Sequence, residues 1–104
     1  MSPTAVANQL SVSIDRIKDD ILTLAGIGRN NDDHGLYRMA FTEADMQGKD
    51  WLVSRMQDAG LTTSRDGALN ISGTLPGSDD LPSILVGSHI DTVPCAGTLD
   101  GTLG

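Results

Sequence analysis

Val6, Leu10, Ile14, Ile17, Ile21 and Leu24 recur at steps of three and four residues. That spacing draws one apolar stripe along a helix. Ser2 followed by Pro3 reads as an N-cap with proline at the first helical position. Gly26 and Gly28 read as the stop. Ser11, Asp15, Lys18, Asp19 and Asp20 fall on the other sides. The pattern predicts a scaffold helix between Pro3 and Gly26 that carries no chemistry. A polar loop follows over residues 28–36. His34 reads there as a solvated histidine beside Asp32 and Asp33, with metal ligation as the alternative. Residues 36–40 suggest a short extended piece.

Thr42-Glu43-Ala44-Asp45 has the spacing of a capping box. The Thr42 hydroxyl is placed to accept from the Asp45 amide, with Asp45 reaching back. Glu43 and Asp45 also suit the positive end of a helix dipole. The second helix should run to about Ala59, with Trp51, Leu52, Met56 and Ala59 on its buried side and Gly60 just beyond its end. Trp51 reads as core rather than as a ligand platform.

The period then changes. Residues 61–65 are β-prone, Asp66-Gly67 marks a tight turn, and residues 68–75 alternate with period two. These predict a hairpin. An acidic loop over 76–80 leads to a third strand, Ser83 to Ser88. Its apolar residues, Ile84-Leu85-Val86, are contiguous, which suggests burial on both faces of a sheet. The fold class read from the chain is α/β: two helices, a β-hairpin and a central buried strand, in one domain spanning residues 1–104.

Composition narrows the function classes. Fourteen acidic residues against seven basic ones leave a formal charge of −7. No Lys/Arg cluster is present to neutralise phosphates, so no nucleic-acid partner is expected. One cysteine excludes an internal disulfide. The first ten residues lack the basic and apolar regions of a signal peptide. No run of about twenty apolar residues exists to span a membrane. The expected compartment is a reducing cytoplasm. Three aromatic residues in all mean that a large pocket would need walls from elsewhere.

The chemistry gathers in Gly87-Ser-His-Ile-Asp-Thr-Val-Pro-Cys-Ala-Gly-Thr-Leu-Asp-Gly-Thr-Leu-Gly104. His89, Asp91 and Asp100 suit a metal site, and ligands in open α/β sheets sit beyond the carboxyl ends of strands. A ligating histidine usually needs a carboxylate or carbonyl to set its tautomer, and Asp91 is a candidate. Pro94 and Gly97 turn the loop so that Asp100 can approach, ahead of a possible helix start at Gly101–Gly104. His-x-Asp alone also fits a hydrogen bond in a tight turn, with Asp100 as a helix cap. Cys95 is either a soft ligand or a partly exposed free thiol.

Gly87-Ser-His-Ile-Asp-Thr-Val-Pro94, with Gly97 and Leu99-Asp100-Gly101, resembles the metal-binding signature of the M20-type metallopeptidase superfamily. It looks most like the amidase branch of N-carbamoyl-amino-acid hydrolases, ureidopropionases and allantoate amidohydrolases. Arg38-Met-Ala-Phe41-Thr42 with Asp45, then Trp51-Leu52, Met56, Ala59-Gly60-Leu61, and Asp66 followed by Asn70-Ile71 and Gly73, also look like that branch. The resemblance covers roughly residues 20–104. One departure is Ala96-Gly97, where branch members usually carry Gly-Gly, a change that matters if the position needs positive φ.

The resemblance implies a zinc-peptidase-like catalytic domain. His89 would be a terminal metal ligand, Asp100 the carboxylate bridging two metals, and Asp91 a catalytic residue acting by orienting His89. The cofactors implied are two divalent metal ions, zinc or else manganese, cobalt or nickel. The reaction implied is hydrolysis of linear amide bonds in small molecules such as N-carbamoyl amino acids, ureido acids or allantoate, by metal-activated water. A peptidase of the same superfamily, or a non-catalytic remnant, is the alternative. The resemblance also implies that the general base, the remaining ligands and a dimerisation domain lie beyond residue 104. The chain alone is then expected to be an inactive N-terminal portion of a homodimeric enzyme, since two ligands fall short of the three or four a zinc site takes.

Overall fold

The computed structural model describes residues 11–100. It contains helix α1 (Ile14–Ala25), helix α2 (Glu43–Asp58), and strands β1 (Thr62–Arg65) and β2 (Ile71–Thr74). The architecture is α/β, as the hydrophobic pattern predicts.

Helix α1 begins later than its apolar stripe suggests. Ser13 is the N-cap, in extended backbone, and its side chain accepts from Arg16 N. The expected cap at Ser2-Pro3, with Val6 and Leu10, lies outside the described residues. The stripe itself is only partly buried. Leu24 is buried at the C-terminal end, whereas Ile14 and Ile17 are exposed. Periodicity shows which side of a helix is apolar, and burial needs a partner against that side.

Helix α2 follows its predicted signals closely. Thr42 caps it and accepts from Asp45 N at 3.3 Å. Asp45 reaches back one residue further than a capping box requires, taking Phe41 N at 2.9 Å. At the other end Gly60 has φ of 85°. Gly60 N donates to Gln57 O and Leu61 N to Met56 O, the paired bonds of a Schellman stop. Trp51, Leu52 and Met56 are half-buried, but Ala59 is exposed, because the helix has already ended there. The helix packs on both strands. A Cβ on Gly73 would come within 2.9 Å of Met56 Sδ and of Leu61 Cδ1, so β2 can approach α2 only through a glycine.

The hairpin pairs antiparallel, from Thr62↔Thr74 to Arg65↔Ile71. Its connection is five residues, not the two-residue turn that Asp66-Gly67 suggests. Asp66 organises it: Oδ1 accepts from Ala68 N and Asn70 N, and Oδ2 from the Asn70 amide, all within 2.9 Å. The left-handed position falls on Leu69, φ 66°, rather than on Gly67.

The expected third strand is corrected. Residues 83–88 form no strand, and Ile84, Leu85 and Val86 are 92%, 94% and 89% exposed. β1 and β2 pair only with each other. A contiguous apolar run signals a strand covered on both faces, and among the described residues no strand pairs with this one.

The core sits elsewhere. Leu36, fully buried, bridges Ala96 through Leu36 N→Ala96 O and Ala96 N→Leu36 O, both 2.9 Å. Burying one such leucine contributes about 1.5–3 kcal/mol. Arg29 extends the junction, donating to the carbonyls of Ala25 and His34 and to Thr98 Oγ1. Ion pairs join the outer elements, Arg55 to Asp20 and Arg65 to Asp50. All four side chains are more than a third exposed, so each pair contributes no more than about 1 kcal/mol.

Candidate functional site

His89 and Asp91 come together. His89 Nδ1 lies 2.9 Å from the Asp91 carbonyl oxygen and 3.2 Å from its carboxylate Oδ1. Both partners only accept, so the neutral ring carries its proton on Nδ1 and keeps its lone pair on Nε2. The two side chains are 56% and 41% exposed. They line a pocket of about 170 Å³ with Lys49, Leu52, Leu69, Asn70 and Ile71. Leu69 reaches it because the Asp66 loop turns through the left-handed region at that residue.

Asp100 is held separately. Its Oδ2 accepts from Gly97 N at 2.8 Å, and its own amide donates back to Gly97 O at 3.3 Å. These two bonds close a turn at residues 97–100. The helix start expected at 101–104 lies outside the described residues. A Cβ on Gly97 would meet the same carboxylate at 3.1 Å.

The glycine departure resolves in an unexpected place. Ala96 does not need positive φ; it is buried in the bridge to Leu36. The left-handed residue is Cys95, φ 54°, an exposed free thiol. It stands against Asp33 and Tyr37. The Tyr37 hydroxyl donates to Asp33 Oδ2, and this bond, with the nearby thiol, pushes the phenol's pKa above its ordinary value. The same phenol holds the Asp33 carboxyl below its usual range, helped by Gly35 N.

The donor chemistry fits a metal centre in part. His89, oriented through Nδ1, has the arrangement of a ligating imidazole. Among the described residues, however, no group of three or more His, Cys, Asp or Glu side chains is arranged to hold a metal ion. His34 stays apart in its loop, its carbonyl rather than its ring engaged by Arg29. A second pocket, about 210 Å³ between Ile17, Ile21, Leu24, Trp51 and Leu99, is almost wholly apolar. Its lone carboxylate, Asp20, is committed to Arg55. Among the described residues no helix is long and apolar enough to cross a membrane.

Sequence reasoning names the residue beneath the site only within the resemblance and gives it no role. Arg38 is fully buried, and its side chain donates to three main-chain carbonyls. Its neighbours Tyr37 and Met39 suggest only a short extended piece. A buried arginine has no periodic signature.

The fold matches that of a hydantoinase/carbamoylase-family amidase segment. The crystal structure of such an amidase from Burkholderia phymatum superposes with a TM-score of 0.76 at 36% identity, covering 90% of this chain and 22% of that one. Among curated proteins, the chain is 34% identical to the N-carbamoyl-L-amino-acid amidohydrolase of Pseudomonas sp. (strain NS671), over 91% of its own length and 23% of the relative's. It is 39% identical to a probable allantoate deiminase of Oryza sativa subsp. japonica, over 83% and 18%. No protein-family model matches. The chain is thus similar, over most of its length, to one segment of these amidohydrolases. It spans about a fifth of the length of the relatives it matches.

Proposed function

We propose that this chain supplies the His89–Asp91 pair and Asp100 to a metal-dependent hydrolase of linear, non-peptide amide bonds. The substrate class is small ureido and carbamoyl compounds: N-carbamoyl amino acids, ureido acids or allantoate. The observation that carries the reading is the double acceptor on His89 Nδ1, which leaves Nε2 as a donor at the edge of a pocket. Similarity to amidohydrolases named for such substrates supports the same reading.

Divalent ions, when bound, would supply water activation and charge stabilisation. This chain's part is to hold the donors. Asp91 sets the His89 tautomer, and Gly97 N fixes one oxygen of Asp100. Two donors are too few for a zinc site, so the chain by itself binds metal weakly and turns over no substrate. The same reading extends to a homodimer for the complete enzyme.

The test is a transplant. Residues 11–100 replace the matching segment of the Pseudomonas N-carbamoyl-L-amino-acid amidohydrolase, and release of the free amino acid is measured. The folded chimera should hydrolyse its substrate, and His89→Ala or Asp100→Ala within it should abolish turnover. A folded chimera that works equally well without either side chain refutes the proposal.

A further inference from the structure

His89 and Asp91 are too exposed for packing to hold them in place, so the order of the pair must come from the main chain beneath. One residue grips that main chain. Arg38 Nε donates to Ile90 O at 2.8 Å, the carbonyl of the residue between His89 and Asp91. Its amide donates to Thr92 Oγ1 at 3.0 Å, and its carbonyl accepts from Thr92 N at 2.8 Å. The other end of the guanidinium is anchored: Nη1 donates to Leu24 O at 2.8 Å and Ile27 O at 2.7 Å. Leu24 lies in the last turn of α1 and Ile27 two residues past its end, where helical donors run out. Helix α2 leaves room for the stem. A Cβ on Gly48 would lie 3.0 Å from Arg38 Cδ and 3.4 Å from Ile90 Cδ1. Burial lowers the guanidinium's pKa, and the charges of Asp45 and Asp91 work against that loss.

We infer that Arg38 is a positioning residue. Clasped to Ile90 and Thr92, it fixes the turn in which Asp91 meets His89 Nδ1, and so sets the tautomer that leaves Nε2 as the donor. The inference deepens the proposed function and rests on it for its catalytic meaning. Bridging the two segments takes a planar fork; the single ammonium of lysine cannot reach both.

The test reads the tautomer directly in the metal-free chain, so it does not depend on activity. Two-bond proton–nitrogen spectra of the labelled, neutral His89 ring give the ratio of the Nδ1–H to the Nε2–H form. Parent chain should favour Nδ1–H. In Arg38→Lys that preference should fall roughly three- to tenfold, the scale of one lost hydrogen bond, while the amides of β1 and β2 keep their parent shifts. An unchanged ratio in a chain with intact hairpin amides overturns the inference. Should Arg38→Lys lose those amides, Thr92→Val decides. It keeps the guanidinium and removes the acceptor of the Arg38 amide, so a shift towards Nε2–H supports the clasp and the parent ratio overturns it. Failure of the amidase reading would show separately, as a chimera indifferent to His89.

Discussion

Gly35→Ala should be among the most damaging single-methyl changes in the chain. A Cβ there would lie 2.7 Å from Cys95 Sγ and 2.8 Å from Cys95 Cα, with Asp33 Oδ1 at 3.2 Å. The thiol can rotate away, but the Cα belongs to a main chain that is already in the left-handed region. Relief therefore means moving residue 95, and with it the Leu36–Ala96 bridge that joins the two loops of the core. Overpacking of this kind typically costs about 1–3 kcal/mol. At ~4–8 °C per kcal/mol for a domain of this size, Tm should fall by roughly 4–24 °C. Urea titration followed by Trp51 fluorescence, with thermal melts alongside, measures it. Gly77→Ala is the control: nothing lies within 4 Å of its Cβ, and it should stay within about 0.5 kcal/mol of the parent. Adding Cys95→Ala to Gly35→Ala removes the clash with the thiol and leaves the clash with the main chain, so it should restore less than half of the loss. A Gly35→Ala chain as stable as the Gly77→Ala control would refute the close approach and the junction built on it.

Two further outcomes follow from neighbouring hydrogen bonds. Tyr37 is the chain's one tyrosine, so its ionisation can be read from ultraviolet absorbance alone; Asp33→Asn should bring the phenol back down towards about 10. Because the folded phenol is shifted upwards, its stabilising contribution is present below the unfolded value near 10 and is lost as pH rises above it; a midpoint unmoved by Asp33→Asn would contradict the Tyr37–Asp33 bond. Thr42→Ala removes both the cap on Asp45 N and the Thr42 Oγ1→Met39 O bond of 2.6 Å, and should destabilise by about 1–2 kcal/mol in urea titration; a chain as stable as the parent would contradict the cap.

Local signals were legible wherever a single residue decides the geometry. Thr42, Asp45 and Gly60 set the ends of α2, and the structure uses them much as their chemistry suggests. The hairpin was legible in alternation, but its loop was not. The Asp66 carboxylate outweighs the Asp-Gly turn preference by collecting three donors, and Leu69 takes the strained position. What the sequence could not show is partnership. Ile84-Leu85-Val86 has the composition of a central strand and lies exposed, since a strand exists only beside another. Ile14 is apolar at the right phase of its helix and still meets solvent. At the site, His89 and Asp91 are neighbours in sequence, so their pairing was readable from spacing. The support from Arg38 comes from more than fifty residues away and carries no local pattern.

The function proposed for this chain depends on His89 being a metal donor. Calorimetric titration of the chain with zinc and with manganese, repeated on His89→Ala, addresses that most directly. Weak binding is expected in the parent chain, falling by about tenfold or more when the imidazole is removed, on the scale of losing one ligand or its support. Binding of the same strength in both chains would contradict the proposal. The His89–Asp91 contact would then be only the closure of a tight turn.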